Sequence, residues 1–293
     1  MEGPRHPRPL HPEGLVPLLR PRPLRRGRPA GAAPGGHPVS PLIALLTDFG
    51  SRDPYVGVMK GVLLGRAPGA RIVDLCHEVP PQDVRMGALH LLAAAPFFPA
   101  GTLFVCVVDP GVGTARAVLW ASDGRRQYLA PDNGLLSWTL RGAAGLELRR
   151  VTNRSLFLPE VSRTFQGRDV FAPVAAALAG GLSPEELGPR CVSCKRLPFP
   201  AVRRRGGAVR GEVIAVDGFG NAVTNIRAAD LGPGKAFSAR GVQFGALRES
   251  YASARPGRPL ALTGSLGFVE FALRDGNLAE SHDIRIGEVV HAR

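Results

Sequence analysis

Apolar residues run unbroken through Leu42-Ile43-Ala44-Leu45-Leu46 and again through Leu103-Phe104-Val105-Cys106-Val107-Val108. Both runs have the length and composition of strands covered on two faces. Between them, Asp53-Pro54 reads as a helix start, a cap followed by a first-turn proline, and positions 55–66 keep helical spacing. A strand-like run at 71–76 and a helical pattern at 84–95, stopped before Pro96, continue the alternation. Helices alternating with strands predict a doubly wound α/β sheet. Short strands at 117–121 and 127–129 lead to the turn Pro131-Asp132-Asn133-Gly134, and the alanine-rich stretch 170–179 reads as a helix ended by Gly180-Gly181.

Beyond that helix the pattern changes. Residues 181–206 are rich in Pro, Arg and small residues without periodicity, and read as a connector. Strands follow at 208–216, 222–226, 260–263 and 268–273, separated by Gly-rich turns. The expected organisation is a Pro- and Arg-rich tail over 1–38 that cannot fold compactly, a larger α/β catalytic domain over 39–180, the connector, and a small all-β, barrel-like domain over 207–293.

The 293 residues, 44% of them hydrophobic, are enough for these two cores. No apolar run reaches the ~18 residues of a membrane span, and the Pro- and Arg-filled start lacks a signal-peptide core, so a cytoplasmic protein without a membrane partner is expected. The net charge of +13 would suggest a polyanion partner, but residues 1–38 hold seven Arg against two Glu, together with ten of the 28 prolines. The body carries the remainder in clusters such as Arg203-Arg204-Arg205, and lysine occurs only at 60, 195 and 235. No aromatic-rich strand or helix-turn-helix pattern accompanies the charge, which disfavours specific nucleic-acid recognition. Cys76 and Cys106 lie in apolar runs and read as small buried hydrophobes. Cys191 and Cys194 have the spacing of a metal or redox pair, but no second pair or His cluster is near, so a loop pair without metal is favoured.

The chemistry concentrates where the third strand ends, in Asp109-Pro110-Gly111-Val112-Gly113-Thr114-Ala115-Arg116. Strand ends are where α/β sheets keep their sites. Two glycines let the chain turn sharply and return Arg116 toward Asp109, and a carboxylate beside a fixed positive charge can hold a water. A structural turn with an ion pair is the alternative for this segment alone. No Gly-rich phosphate cradle opens a helix after a strand, which disfavours nucleotide phosphate as a ligand.

Taken with Leu45-Leu46-Thr47-Asp48-Phe49-Gly50, Asp53-Pro54-Tyr55-Val56-Gly57-Val58-Met59-Lys60-Gly61, Pro131-Asp132-Asn133-Gly134-Leu135-Leu136 and Asp217-Gly218-Phe219-Gly220-Asn221, this segment closely resembles the S-adenosylmethionine hydroxide adenosyltransferases, relatives of fluorinase and chlorinase. The likeness runs in order from Leu42 to Val290. It implies hydrolysis of S-adenosylmethionine to adenosine and methionine, by attack of a water-derived oxygen on the ribose C5′ with a neutral thioether leaving. It also implies no cofactor or metal, and a homotrimer with each active site between the α/β domain of one subunit and the β domain of its neighbour. A sulfonium leaves without protonation, so catalysis must act on the nucleophile: orient one water and draw its proton away.

The family performs this with Asp, Arg and His. Asp109 and Arg116 match the first two, but where members read Thr-Phe-His-Gly-Arg-Asp this chain reads Thr164-Phe165-Gln166-Gly167-Arg168-Asp169. Gln can orient a water through its amide oxygen but cannot take its proton near neutral pH. General-base help is worth ~10²–10⁴-fold, so the change predicts a slow enzyme rather than a dead one. Asp109 alone as base, another group substituting, or a protein that binds adenosylmethionine or adenosine without turnover all stay open. A halide-using enzyme ranks last, because the Asp-to-Arg spacing is of the hydroxide type.

The resemblance further implies that Asp48 accepts both ribose hydroxyls, and that Asp217 and Asn221 meet the methionine ammonium and the adenine edge. Ser265 is placed at the methionine carboxylate, where Leu266 replaces the arginine of the halogenating relatives, and Ala279 over the adenine through its main chain. A helix or turn cap is the plainer role for Asp48, and a hairpin turn for Asp217 and Asn221. His77 and Glu78 are further candidates for lining the site.

Overall fold

Six strands of the first unit pair into one mixed sheet: β1 (Leu42–Thr47), β2 (Arg71–Cys76), β3 (Leu103–Val107), β4 (Val118–Ser122), β5 (Gln127–Pro131) and β6 (Glu147–Arg150), in the order β2-β1-β3-β5-β4-β6. Strands β1, β2, β3 and β5 run parallel, while β4 pairs antiparallel with β5 and β6. The computed structural model describes residues 41–293, so the expectation for the tail over 1–38 lies outside the described residues.

The predicted layering holds. Ile43 and Leu45 of β1 and Leu103, Val105 and Val107 of β3 form one core with Met59 and Leu63 of α1 (Tyr55–Arg66) and with Val174, Ala175 and Leu178 of α3 (Ala172–Ala179). On the opposite face lies α2 (Val84–Ala94), whose Gly87 sits so close to Val108 that a Cβ would be 3.1 Å from its Cγ2. Asp83 caps α2 by accepting the Met86 N–H. The cap predicted at Asp53 does not form: Pro54 occupies the capping position of α1, and no side chain bonds there. Cys106 is buried as expected, whereas Cys76 is partly exposed, because β2 is an edge strand with only one neighbour.

The described chain divides between Leu197 and Pro198. Of residues 181–206, expected as a connector, 181–197 are held on the first unit. Leu187 is buried, Arg149 bonds the Gly188 carbonyl, Cys191 bonds Leu148, and Trp138 donates to the Leu197 carbonyl. Backbone and indole hydrogen bonds fix this strap without needing a hydrophobic period, which is why composition alone reads it as loose.

The second unit holds β7 (Arg203–Arg205), β8 (Ala208–Val216), β9 (Ala222–Arg227), β10 (Ala236–Ala239), β11 (Val242–Arg248), β12 (Pro259–Thr263), β13 (Phe268–Leu273), the short helix α4 (Leu278–His282) and β14 (Val289–Ala292). Pairing of β14 with both β8 and β10 closes seven strands, β8-β9-β13-β12-β11-β10-β14, into a barrel, and β7 extends it as a hairpin on β8. Closure leaves few free edges on so small a sheet. Val209, Val213, Ile226, Phe237, Phe244, Phe271 and Val290 fill the interior, with Phe244 and Phe271 stacked.

Candidate active site

Strands β1 and β3 are parallel neighbours with Thr47 opposite Val107. Asp48, next after Thr47, and Asp109, two residues after Val107, therefore emerge from the same end of the sheet, where an α/β fold opens its crevice. Asp48 is half-buried, and its Oδ2 accepts the Gln82 N–H at 2.8 Å. Gln82 is in the left-handed region at φ 64°, which costs a non-glycine residue energy and aims that N–H at the carboxylate. Burial pushes the Asp48 carboxyl up, the Gln82 N–H pulls it down, and the neighbouring Asp109 charge raises it, with a net rise from the ordinary value of 3.8.

After β3 the chain folds through two tight turns. Val112 N–H bonds the Asp109 carbonyl, Thr114 Oγ1 bonds the Gly111 carbonyl at 2.7 Å, and the Arg116 N–H bonds Thr114 Oγ1. Gly113 stands at φ +77°, and a Cβ there would be 2.5 Å from the Arg163 carbonyl oxygen. Only glycine fits. The turns return Arg116 onto Asp109, its Nε and Nη2 donating to Oδ2 at 2.8 and 2.5 Å, with both side chains buried. Arg116 also lies over the Phe171 ring, 5.7 Å from its centroid.

Gln166 completes the group. Its Oε1 accepts from Arg116 Nη2 at 2.5 Å. The amide oxygen predicted to orient a water is thus turned to the guanidinium, and the NH₂ is the end left to donate. Gly167 permits the approach, since a Cβ would crowd Met59 Sδ at 3.0 Å and the Phe49 ring at 3.2 Å. It opens a π-helical turn, Gly167–Phe171, ahead of α3, a widening common at functional sites. Buried Asp169 holds this segment by accepting from Arg168 and from the Ser162 N–H; burial alone would raise its carboxyl, but these donors lower it.

The decisive atom is Asp109 Oδ1. It is buried and has no hydrogen-bond partner among the described residues. A cavity of about 290 Å³ is lined by Asp109, Asp48, Gln82, Thr164, Gln166 and Gly167, with Phe49, Tyr55 and Phe165 as an apolar wall of mutually edge-on rings. A buried acceptor left free beside two polar groups and an aromatic surface is the composition of a small-molecule site. Sequence reasoning missed Gln82 and the aromatic trio; the backbone strain at Gln82 leaves no mark in composition.

In the second unit, Asp217 Oδ1 accepts the N–H groups of Phe219 and Asn221, and Oδ2 accepts Asn221 Nδ2 at 3.0 Å. The two predicted ligands thus bond each other and close a hairpin turn. Gly220, at φ +83°, lies against Asn277, which caps α4 by accepting from Glu280. Ala279 donates its N–H to the Gly220 carbonyl and accepts from Ile284, so its main chain, expected over an adenine, is engaged within the fold. Ser265 is exposed on the Gly264–Gly267 turn. Sequence reasoning also missed Glu270, buried beneath that turn and bonded by Tyr251 at 2.5 Å. Burial raises its carboxyl, the Tyr251 hydroxyl lowers it, and the nearby Asp217 charge raises it further, for a net rise. A lone glutamate inside Phe268-Val269-Glu270-Phe271 was the available signal. His77 and Glu78 do not line the cavity; His77 bonds Thr47 Oγ1 and Asp74, bracing the end of β1.

Models of the SAM hydroxide adenosyltransferase N-terminal and C-terminal domains match residues 43–188 and 211–291. The chain belongs to the SAM hydroxide adenosyltransferase family. A protein of Thermus thermophilus named (R)-S-adenosyl-L-methionine hydrolase is 42% identical over 84% of this chain and 96% of its own length. A fluorinase from an Actinoplanes species is 31% identical over 86% and 97%. The solved structure of an uncharacterized conserved protein from Thermotoga maritima superposes with a TM-score of 0.79 at 35% identity, covering 85% of this chain and 99% of that one.

Proposed function

We propose that the protein hydrolyses S-adenosyl-L-methionine to adenosine and methionine by a water-derived oxygen attacking the ribose C5′. The observation that carries this is the free, buried Asp109 Oδ1, with Oδ2 held by Arg116, in a cavity shared with Asp48. Arg116 fixes the carboxylate so that one oxygen faces a water. Asp109 orients that water and takes its proton as the C5′–O bond forms and the C5′–S bond breaks, returning the sulfonium electron pair to a neutral thioether. Gln166 donates its NH₂ to the same water, and Asp48 accepts the ribose hydroxyls, which compensates for its crowding by Asp109. The aromatic wall offers an apolar surface to the nucleoside. No cofactor is required by this scheme.

The substrate's amino-acid end is assigned to Asp217 and Ser265, and its adenine to Asn221 and the Ala279 segment. Asp217 keeps capacity for an ammonium, since its turn occupies three of the roughly four acceptor positions of a carboxylate. We place each site between the first unit of one copy and the second unit of another in a cytoplasmic homotrimer. Mixing Asp109→Asn with Asp217→Ala protein tests this at substrate well below KM: each is impaired alone, and mixed oligomers exceed the sum of the two only if a site takes residues from two chains.

Higher identity to the hydrolase than to the fluorinase favours water over halide. It also disfavours a binding protein without turnover. Purified protein incubated with the R and S sulfonium epimers, followed for adenosine by chromatography beside Gln166→His, decides the reading. Adenosine from both proteins is expected. Product from the His variant alone, or tight binding without product, overturns it, and a 5′-halogenated adenosine formed with chloride or fluoride redirects it.

A further inference from the structure

The outer face of the barrel gathers arginines that are far apart in the chain. In β8, Val209 and Gly211 point into the barrel, so Arg210 points out. Register places Arg203 of β7 directly opposite Arg210 on one side and His291 of β14 opposite it on the other. Arg205 and Arg293, two residues from Arg203 and His291, share that face by the alternation of strand side chains. All five are exposed, and they line a recess of about 580 Å³.

Among the described residues no carboxylate pairs with Arg203, Arg205, Arg210 or Arg293, although the same barrel pairs Arg240 with Asp283 and Glu288. Like charges directly opposite on neighbouring strands are destabilising. The fold therefore holds an electrostatic cost that no ion pair among the described residues offsets, and an anion would offset it. Guanidinium forks match phosphate oxygens in pairs, and residues two apart on β7 repeat every ~6.6 Å, presenting a linear array of charge. Apart from the His291 imidazole the recess has no aromatic ring on which a base could stack, and its apolar lining, Ala208, Val209 and Ala292, is too small to enter a bilayer.

We propose that this face, through Arg203, Arg205, Arg210 and Arg293, binds the phosphate backbone of nucleic acid without reading its sequence. The mode differs from the specific recognition that the sequence disfavours, and it is independent of the hydrolase reading. The test uses the full chain, so that residues 1–38 contribute equally to every protein compared. A labelled 40-base-pair duplex of random sequence is titrated by anisotropy between 50 and 200 mM KCl, with ~0.9 of salt slope expected per phosphate contact. Arg203→Ser/Arg205→Ser/Arg210→Ser should lower the slope of log K against log salt by about 2–3 and weaken binding at least ~10-fold at 50 mM. A control of equal charge change on other exposed arginines, Arg125→Ser/Arg255→Ser/Arg258→Ser, should fall much less. A Tm and far-UV circular dichroism spectrum matching the parent check that the first variant is folded; should it unfold, Arg210→Ser alone, losing about one unit of slope, serves instead. Equal losses in variant and control, no binding at 50 mM, or tighter binding to phosphatidylserine vesicles than to the duplex would overturn the proposal.

Discussion

Two Gly-rich loops that look alike in sequence, 109–116 in the first unit and 217–221 in the second, use their aspartates in opposite ways. Asp217 turns its oxygens back on its own loop and on Asn221, so that it first builds a hairpin. Asp109 gives one oxygen to Arg116 and leaves the other buried without a partner among the described residues. A satisfied carboxylate shapes a backbone; an unsatisfied one in a cavity awaits a ligand, because burying an acceptor unpaired is costly unless something pairs it. The lesson is that acceptor occupancy, more than motif, separates reacting groups from those that position.

The contrast can be broken most forcefully at Asp109. Asp109→Asn keeps the shape and removes the proton acceptor, so kcat for adenosine release should fall ~10²–10⁴-fold with KM little changed. A loss confined to KM would make Asp109 a binding residue only. Gly113→Ala should come next: with φ +77° and the Arg163 carbonyl in the way, it should lower stability by about 1–3 kcal/mol and detach Arg116 from Asp109, seen as a lower Tm with lost turnover. Asp217→Asn keeps an acceptor for the turn and removes its charge, so KM should rise about tenfold, near 1.4 kcal/mol, with kcat and Tm nearly unchanged. A fall in Tm with unaltered KM would reduce Asp217 to a turn residue.

The smallest effect is expected at Asp48. Its carboxyl is raised in the folded state, so its favourable contribution is complete below the ordinary value of 3.8 and is lost as pH rises through the raised one. At neutral pH the ionised group opposes folding. Asp48→Asn should therefore add about 1 kcal/mol, ~2–4 °C in Tm, at pH 7 and little at pH 3, while raising KM. Equal Tm gains at both pH values would remove charge burial as the cause.

Strong periodicity made the first unit legible. β1, α1, β2, α2 and β3 fall within a residue or two of expectation: β1 and β3, covered on both faces, are continuously apolar, and the helices keep their own spacing between them. Strands β6, β7, β10, β11 and β14 left little trace, because each is short or largely exposed and offers too few apolar positions to set a period. Asp109, Arg116 and Gln166 were readable because a loop of fixed length joins the first two and a motif marks the third. Gln82, Glu270 and the aromatic wall were not, since their roles depend on neighbours brought from distant chain.

By itself, the order of apolar runs, glycines and charges determined two domains, an α/β layer structure followed by a β-rich unit, and the carboxylate and guanidinium that meet after β3. These are local matters of period and turn conformation. Only the tertiary structure decided which oxygen of Asp109 stays free, that Gln166 faces Arg116 with its amide oxygen, and that Arg203, Arg205, Arg210 and Arg293 share one face. Those outcomes depend on register, closure and burial, which arise between segments and are written in none of them alone.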